Sequence, residues 1–137
     1  MTNDSRVLVV DNPYTGEPAC RVSLADETTV GTKLDRAREA ARAWRTSKVH
    51  ERMAVCERAM GAMEKNAQPI AEDITRMMGK PLAQASGELK TCVARGRHMI
   101  SVAEKTLADV VLPPMSGFER RIVHEPLGVV FDLPAWN

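Results

Sequence analysis

The chain has almost no net charge and no long apolar run, and residues 1–5 show no signal-peptide pattern; each of these observations argues against a class of protein. Its 19 basic and 18 acidic side chains leave a formal charge of +1, so charge predicts neither nucleic acid nor an anionic membrane surface as a partner. No window approaches the roughly 18 consecutive apolar residues of a membrane-spanning helix. Residues 1–5 lack the basic and then apolar segments of a signal peptide. We therefore expect a soluble, cytoplasmic protein that binds neither nucleic acid nor membrane.

Cysteine and histidine are scarce and form no ligand pattern. The three cysteines are Cys20, Cys56 and Cys92. An odd count without C-x-x-C spacing is typical of reduced cytosolic thiols rather than of a disulfide framework. We expect all three to be small buried hydrophobes with inert thiols, Cys56 on the apolar stripe of a helix. The histidines share no metal-ligand spacing, so no metal site is predicted; they are His50, His98 and His124.

Turn-forming residues near the start of the chain separate two apolar segments. Residues 6–10 and 20–24 are rich in Val and Leu, and they flank the cluster of Asp, Asn, Pro, Thr and Gly at 11–18. Such a cluster fixes or frees the backbone angle φ as turns require. This arrangement predicts an antiparallel hairpin with a wide loop.

Apolar residues at intervals of three and four predict four helices in the middle of the chain. Helix one covers about 29–44, and Ser47 is a candidate N-cap for helix two. Pro69 fits the first turn of helix three, and Gly79 can end it in a left-handed conformation. Helix four restarts after Pro81 and ends before the Pro113-Pro114 pair. We expect the four apolar stripes to bury against one another.

Three features of these helices allow more than one interpretation. Gly87 and Gly96 each cost roughly 1 kcal/mol relative to alanine inside a helix, so each marks either close packing or a kink. The small basic cluster of Arg95, Arg97 and His98 is either a phosphate site or a solvated helix face. The helical methionines at helical spacing predict core filling rather than an adaptable binding groove; they are Met53, Met60, Met63, Met77, Met78 and Met99.

Two further strands are predicted near the end of the sequence. Residues 120–124 have a partly polar strand pattern that Pro126 would terminate. Residues 129–133 are almost all apolar and lie between Gly128 and Pro134. A run of this kind is typical of a strand buried on both faces of a mostly parallel sheet.

Short motifs in a fixed order carry a resemblance to a known family. The segments 12–17 (N-P-Y-T-G-E) and 79–88 (G-K-P-L-A-Q-A-S-G-E) are similar to its N-P-x-T-G-E and G-K-P-x-x-x-A-x-x-E motifs, and Trp44 ends helix one as in many members. The segment 125–137 (E-P-L-G-V-V-F-D-L-P-A-W-N) resembles its E-P-x-G-V-V-x-x-I-x-P-W-N stretch. In these motifs and their order, the chain resembles the aldehyde dehydrogenase family.

The resemblance implies an α/β fold that is truncated. It would comprise an N-terminal hairpin, about four helices and the first strand of a Rossmann-like NAD(P)-binding domain of the aldehyde dehydrogenase fold. Residues 1–118 would be the N-terminal helical part of the cofactor-binding domain, and 119–127 part of the oligomerisation arm. Residues 128–137 would be the first strand of the nucleotide-binding sheet and the start of the active-site loop.

The resemblance also implies five site residues at the end of the chain. Asn137 corresponds to the asparagine whose side-chain amide donates to the oxyanion formed when a thiolate attacks the aldehyde, an effect on the order of 3 kcal/mol. Four residues would bind the nicotinamide part of NAD or NADP and line the inner end of the aldehyde tunnel; they are Leu133, Pro134, Ala135 and Trp136. The sequence departs from the family at Ala135, where members usually have proline.

The implied function is oxidation of a small-molecule aldehyde to a carboxylic acid with NAD or NADP, through a cysteine thiohemiacetal, in a homo-oligomeric enzyme. None of the three cysteines stands in a motif that matches the family's nucleophile. We therefore expect this chain to be the N-terminal portion of a longer enzyme and to be inactive alone. The alternative is a non-catalytic remnant or a helical partner-binding module. The sequence that follows Asn137 would distinguish the two hypotheses.

Overall fold

The first structural unit is the predicted hairpin. A computed structural model describes residues 6–134 of the 137-residue chain. Strand β1 (Val7–Asp11) pairs antiparallel with β2 (Pro18–Ser23), with Val7 opposite Ser23. In the loop, the Asn12 side chain accepts a hydrogen bond from the backbone of Tyr14 at 2.9 Å. The wide-loop hairpin is therefore confirmed.

Helix α1 (Glu27–Thr46) and helix α2 (Val49–Lys65) follow, with ends close to the predicted ones. The carboxylate of Asp26 accepts from the backbone N–H of Thr29 at 2.7 Å and caps α1. The prediction that Ser47 caps α2 is wrong, because its backbone N–H and hydroxyl both donate to the Trp44 carbonyl and so close the end of α1. The start of α2 is closed instead by Glu51, whose carboxylate accepts from the backbone N–H of Lys48 at 2.7 Å.

Helices α3 (Ala67–Met78) and α4 (Leu82–Thr106) complete the helical part. Gly79 ends α3 with φ +72°, and its N–H donates to the Thr75 carbonyl at 2.9 Å. The left-handed ending is thus confirmed. Helix α4 ends at Thr106, before the Pro113-Pro114 pair, as predicted.

Gly79 should be sensitive to substitution. Gly79→Ala is expected to destabilise the chain by about 2 kcal/mol, because the left-handed conformation costs an L-residue roughly 1–2 kcal/mol and a Cβ would lie 2.8 Å from Cγ of the rigid Pro13 ring. Urea unfolding followed by helical circular dichroism measures the change. The matched control is Gly31→Ala, at a helical position with open space, which should be neutral or stabilising by up to about 1 kcal/mol. Equal effects at the two glycines would contradict this account.

The core lies between α2, α3 and α4. Its buried side chains are Ala71, Ala85, Leu89 and Val93, and three of these belong to α4. A Cβ at Gly96 would collide with the Met60 side chain, so this glycine marks the close approach of α4 to α2, whereas Gly87 has open space around it. Close packing is therefore the correct interpretation at Gly96.

Helix α1 does not join this core. None of its residues is buried, and its stripe residues Val30 and Trp44 remain exposed. The expectation that all four stripes bury against one another is wrong for α1, since no described element covers its apolar side. Hydrophobic periodicity identifies the face of a helix but not the partner that covers it.

A second, small hairpin follows α4. Strand β3 (Val110–Val111) pairs antiparallel with β4 (Arg121–Ile122), within the predicted strand at 120–124. Residues 123–134 have neither helix nor strand. The strand at 129–133 has no pairing partner among the described residues, so its place in a sheet stays a prediction.

Candidate functional site

The structure describes two of the five predicted site residues. Leu133 and Pro134 are exposed at the end of the described range, and neither makes a hydrogen bond with another residue in 6–134. Ala135, Trp136 and Asn137 lie outside the described residues. The structure therefore describes only the first two residues of the predicted site, together with the segment that precedes them.

Polar contacts of His124 and Glu125 attach the segment that precedes the predicted site to the helical body. The Arg45 guanidinium contacts the Glu125 carboxylate at 2.6 Å, and Nδ1 of His124 lies 3.2 Å from the Ala108 carbonyl oxygen. Pro126 lines a pocket with Val49, Arg52 and Leu107, whereas the next residue, Leu127, is 93% exposed. The described segment therefore leaves the body after Pro126, with the apolar side chains that follow exposed.

Two of the sequence motifs meet at the end of α3. The Pro13 ring of the first motif lies against Gly79 of the second, and Lys80 forms an ion pair with Glu88. These motif residues therefore fix the junction between the first hairpin, α3 and α4. Their contacts give them a structural role in this part of the chain.

The basic cluster on α4 is already neutralised at its centre. Arg97 donates through Nη1 and Nη2 to the Glu64 carboxylate at 2.7 and 2.6 Å, and through Nε to Glu57 at 2.9 Å. This geometry favours the solvated-face interpretation over a phosphate site, because two carboxylates occupy the guanidinium N–H groups. Glu57 and Glu64 are seven residues apart on α2, which places them on one face, but the sequence does not indicate Arg97 as their partner.

The Arg97 hydrogen bonds lower the pKa of Glu64 below its ordinary value of 4.5, against a smaller opposing effect of desolvation. A depressed folded-state pKa stabilises the fold above the unfolded pKa, and this stabilisation is lost as pH falls through the folded value. Glu64→Gln should therefore lower the free energy of unfolding at pH 7, with a difference from wild type that shrinks below pH 4.5. Urea unfolding at several pH values measures it. A difference that is independent of pH would contradict the assignment.

An apolar groove lies between α2 and α4, with a volume of about 320 Å³. Cys56 and Met99 line it and are exposed, so two predictions are wrong: Cys56 is not a buried hydrophobe, and Met99 does not fill a core. Met78 is likewise exposed. Cys92 is exposed as well, whereas Cys20 is half-buried with its Sγ 3.6 Å from Sδ of Met77. Cys56 and Met99 are exposed because no described residue covers the groove, whereas Met78 and Cys92 lie outside it.

The described residues contain neither a metal-binding cluster nor a membrane-spanning helix. Within 6–134, no group of three His, Cys, Asp or Glu side chains could hold a metal ion. No helix in the same range is both long and apolar enough to cross a membrane.

Comparison with known proteins identifies what the chain is similar to. The sequence model of the aldehyde dehydrogenase family matches residues 1–137. Succinate-semialdehyde dehydrogenase [NADP(+)] of Deinococcus radiodurans is 31% identical over 126 residues, which cover 92% of this chain and 26% of that protein. Malonate-semialdehyde dehydrogenase of Pseudomonas aeruginosa is 29% identical over 137 residues, which cover 100% of this chain and 28% of that protein.

Solved structures agree with the fold. Succinic semialdehyde dehydrogenase from Streptococcus pyogenes, solved with NADP+, superposes with a TM-score of 0.74 at 24% identity, over 82% of this chain and 25% of that one. The mixed α/β fold is thereby confirmed as part of the fold of that enzyme. The chain spans about a quarter of the length of the curated relatives it matches.

Proposed function

The chain belongs to the aldehyde dehydrogenase family, and from this premise we propose that the protein containing it oxidises an aldehyde to a carboxylic acid with NAD or NADP. The supporting observation is the family match over residues 1–137, which includes the final motif with Asn137. Semialdehydes are the first substrates to test, because the similar proteins include succinate- and malonate-semialdehyde dehydrogenases.

In this proposal, a cysteine thiolate outside this chain adds to the aldehyde carbon, and the carbonyl electron pair moves to oxygen as an oxyanion. The Asn137 amide donates a hydrogen bond to that oxygen and stabilises its charge. NAD or NADP bound beside Leu133, Pro134, Ala135 and Trp136 would supply the hydride acceptor. Loss of the hydride restores the C=O bond as a thioester, and water then releases the carboxylic acid and the thiol. Leu133 is exposed and apolar, a surface that suits one face of a flat nicotinamide ring.

We assign residues 119–127 to an arm that pairs subunits, and 128–137 to the first strand of the nucleotide-binding sheet and the start of the active-site loop. Uncovered apolar side chains support both assignments, with Ile122 at 53% exposure in the first and Phe131 at 82% in the second, because exposed apolar segments of this kind mark contacts with other protein segments. The enzyme is then a homo-oligomer, and we place it in the cytoplasm.

A second candidate concerns the 137-residue chain by itself. The uncovered apolar stripe of α1, with Val30 and Leu34 exposed, favours a non-catalytic helical module that binds a partner. Under either hypothesis the isolated chain does not oxidise aldehydes, since the reaction needs the nucleophile, the cofactor and Asn137 held together.

The test is an activity assay on the protein purified from its source cells. Succinate, malonate and glutarate semialdehydes are each supplied with NAD+ or NADP+, and formation of reduced nicotinamide and of carboxylate is measured. The proposal predicts equal amounts of the two products with at least one pair. The 137-residue chain, assayed in parallel, should form neither. Failure of the purified protein to reduce either cofactor with any of these aldehydes or with benzaldehyde would contradict the proposal.

A further inference from the structure

Two guanidinium groups lie near the point where the described segment leaves the helical body. Nη2 of Arg45, in the last turn of α1, donates to Oε2 of Glu125 at 2.6 Å. Arg52, in the first turns of α2, lines a pocket of about 250 Å³ together with Glu125. Two arginines from different helices therefore lie beside the same glutamate.

The Arg52 guanidinium contains a hydrogen-bond donor without a partner. Nε of Arg52 is buried and has no acceptor among residues 6–134. Native structures seldom leave a buried donor unsatisfied, because it has lost its hydrogen bonds to water. Within the same range the Oε1 atom of Glu125 accepts no hydrogen bond, since Arg45 occupies Oε2. The pocket thus has an unused donor on one wall and an unused carboxylate oxygen on another.

Two carboxylates line this pocket, and their positions in the chain distinguish them. Asp109 is paired with Arg121 beside the β3–β4 hairpin at 3.4 Å. Glu125 belongs instead to the segment that leads to the predicted site. A carboxylate has lone pairs for two guanidinium groups at once, one on each oxygen. Glu125 can therefore accept from both arginines without losing the hydrogen bond that it already makes.

We propose that Glu125 accepts from Arg45 and Arg52 together, and that this anchor positions the segment leading to the predicted site. Arg52 and Glu125 are then positioning residues, a role that rests on the oxidation proposed above. The run predicted to form a strand, 129–133, connects the anchor to Asn137. Because that connection is short, a shift at its start displaces its end. A displacement of about 1 Å at a reacting group can cost about 100-fold in rate.

The anchor is tested without substrate, by amide hydrogen exchange of the complete native protein read by mass spectrometry. Arg52→Met and Glu125→Gln should each speed exchange in peptides covering 124–134 by at least about threefold, because each removes one side of the anchor. The Glu125 side chain is 61% exposed, so its substitution leaves the fold intact. The matched control is Asp109→Asn, at the other carboxylate of the pocket, which should leave these peptides unchanged. Unchanged exchange in Glu125→Gln, or an equal increase in Asp109→Asn, would overturn the proposal.

The positioning role is tested by the kinetics of the same variants with the best aldehyde from the activity assay. Arg52→Met and Glu125→Gln should each lower kcat by about tenfold with little change in KM. The double variant should lose no more than the worse single variant, because the two residues act through one contact. Losses that multiply in the double variant, or wild-type kcat in both single variants, would overturn the positioning role. If the wild-type protein reduced neither cofactor, the proposed oxidation and the positioning role would both be wrong, whereas the exchange rates would still decide whether the anchor exists.

Discussion

Replacing Asn137 with alanine in the complete protein should lower kcat for aldehyde oxidation by about 100- to 1,000-fold, the usual cost of removing one oxyanion donor. The amide stabilises charge that develops only after the thiolate has attacked, so the loss should appear mainly in kcat and little in KM. Steady-state kinetics with the best aldehyde from the assay measure both constants. An Asn137→Asp variant should lose at least as much activity, because a carboxylate repels the oxyanion.

The matched control is Asn66→Ala. The Asn66 side chain donates to the Ala62 carbonyl at 2.7 Å at the junction of α2 and α3 and is not among the predicted site residues, so its loss should reduce Tm but leave kcat within about threefold. If Asn137→Ala kept wild-type kcat, the assignment of Asn137 as oxyanion donor would be wrong, although the proposed aldehyde oxidation would still be supported by the activity itself.

Leu89→Ala should be the most destabilising substitution within the described core, at about 2–4 kcal/mol, the usual cost of a buried leucine truncation. Leu89 is 5% exposed and is the largest of the four buried side chains, the others being alanines and a valine. Helix α4 contacts both α2 and α3, so a cavity at Leu89 weakens the helical body at its centre. Urea unfolding of the 137-residue chain, followed by circular dichroism, gives the change.

Leu127→Ala removes the same atoms from a side chain that is 93% exposed, and it should change the free energy of unfolding by less than about 0.5 kcal/mol. The comparison separates burial from residue type. If Leu89→Ala and Leu127→Ala lowered the free energy of unfolding equally, the assignment of the core to the space between α2, α3 and α4 would be wrong.

Local chemistry made the helices predictable from sequence. Gly79 acts through a bond to Thr75, four residues away, so its signal does not depend on the rest of the chain. The Ser47 prediction was wrong because a serine hydroxyl can cap the following helix or close the preceding one, and here Lys48 stands between Ser47 and the first residue of α2. The Gly96 contact needs a residue on another helix, Met60, which no local pattern identifies.

The candidate site was predictable only through motif resemblance. The apolar pattern at 129–133 predicts a strand, yet a strand forms only against neighbours, and residues 6–134 supply none for it. The prediction that Cys56 is buried was wrong for the same reason, because an apolar stripe predicts burial but does not identify the segment that covers it. The position of Asn137 came from the order of the family motifs, and the family match over the full chain agrees with that order.

The most direct test of the whole account is the intact mass of the natural protein, captured from its source cells with an antibody to residues 29–65. This chain has a mass of 15.1 kDa and spans about a quarter of its relatives. The account predicts a mass about four times larger, with peptides that continue past Asn137. A mass near 15 kDa would contradict it, and the partner-binding module would then be the better hypothesis.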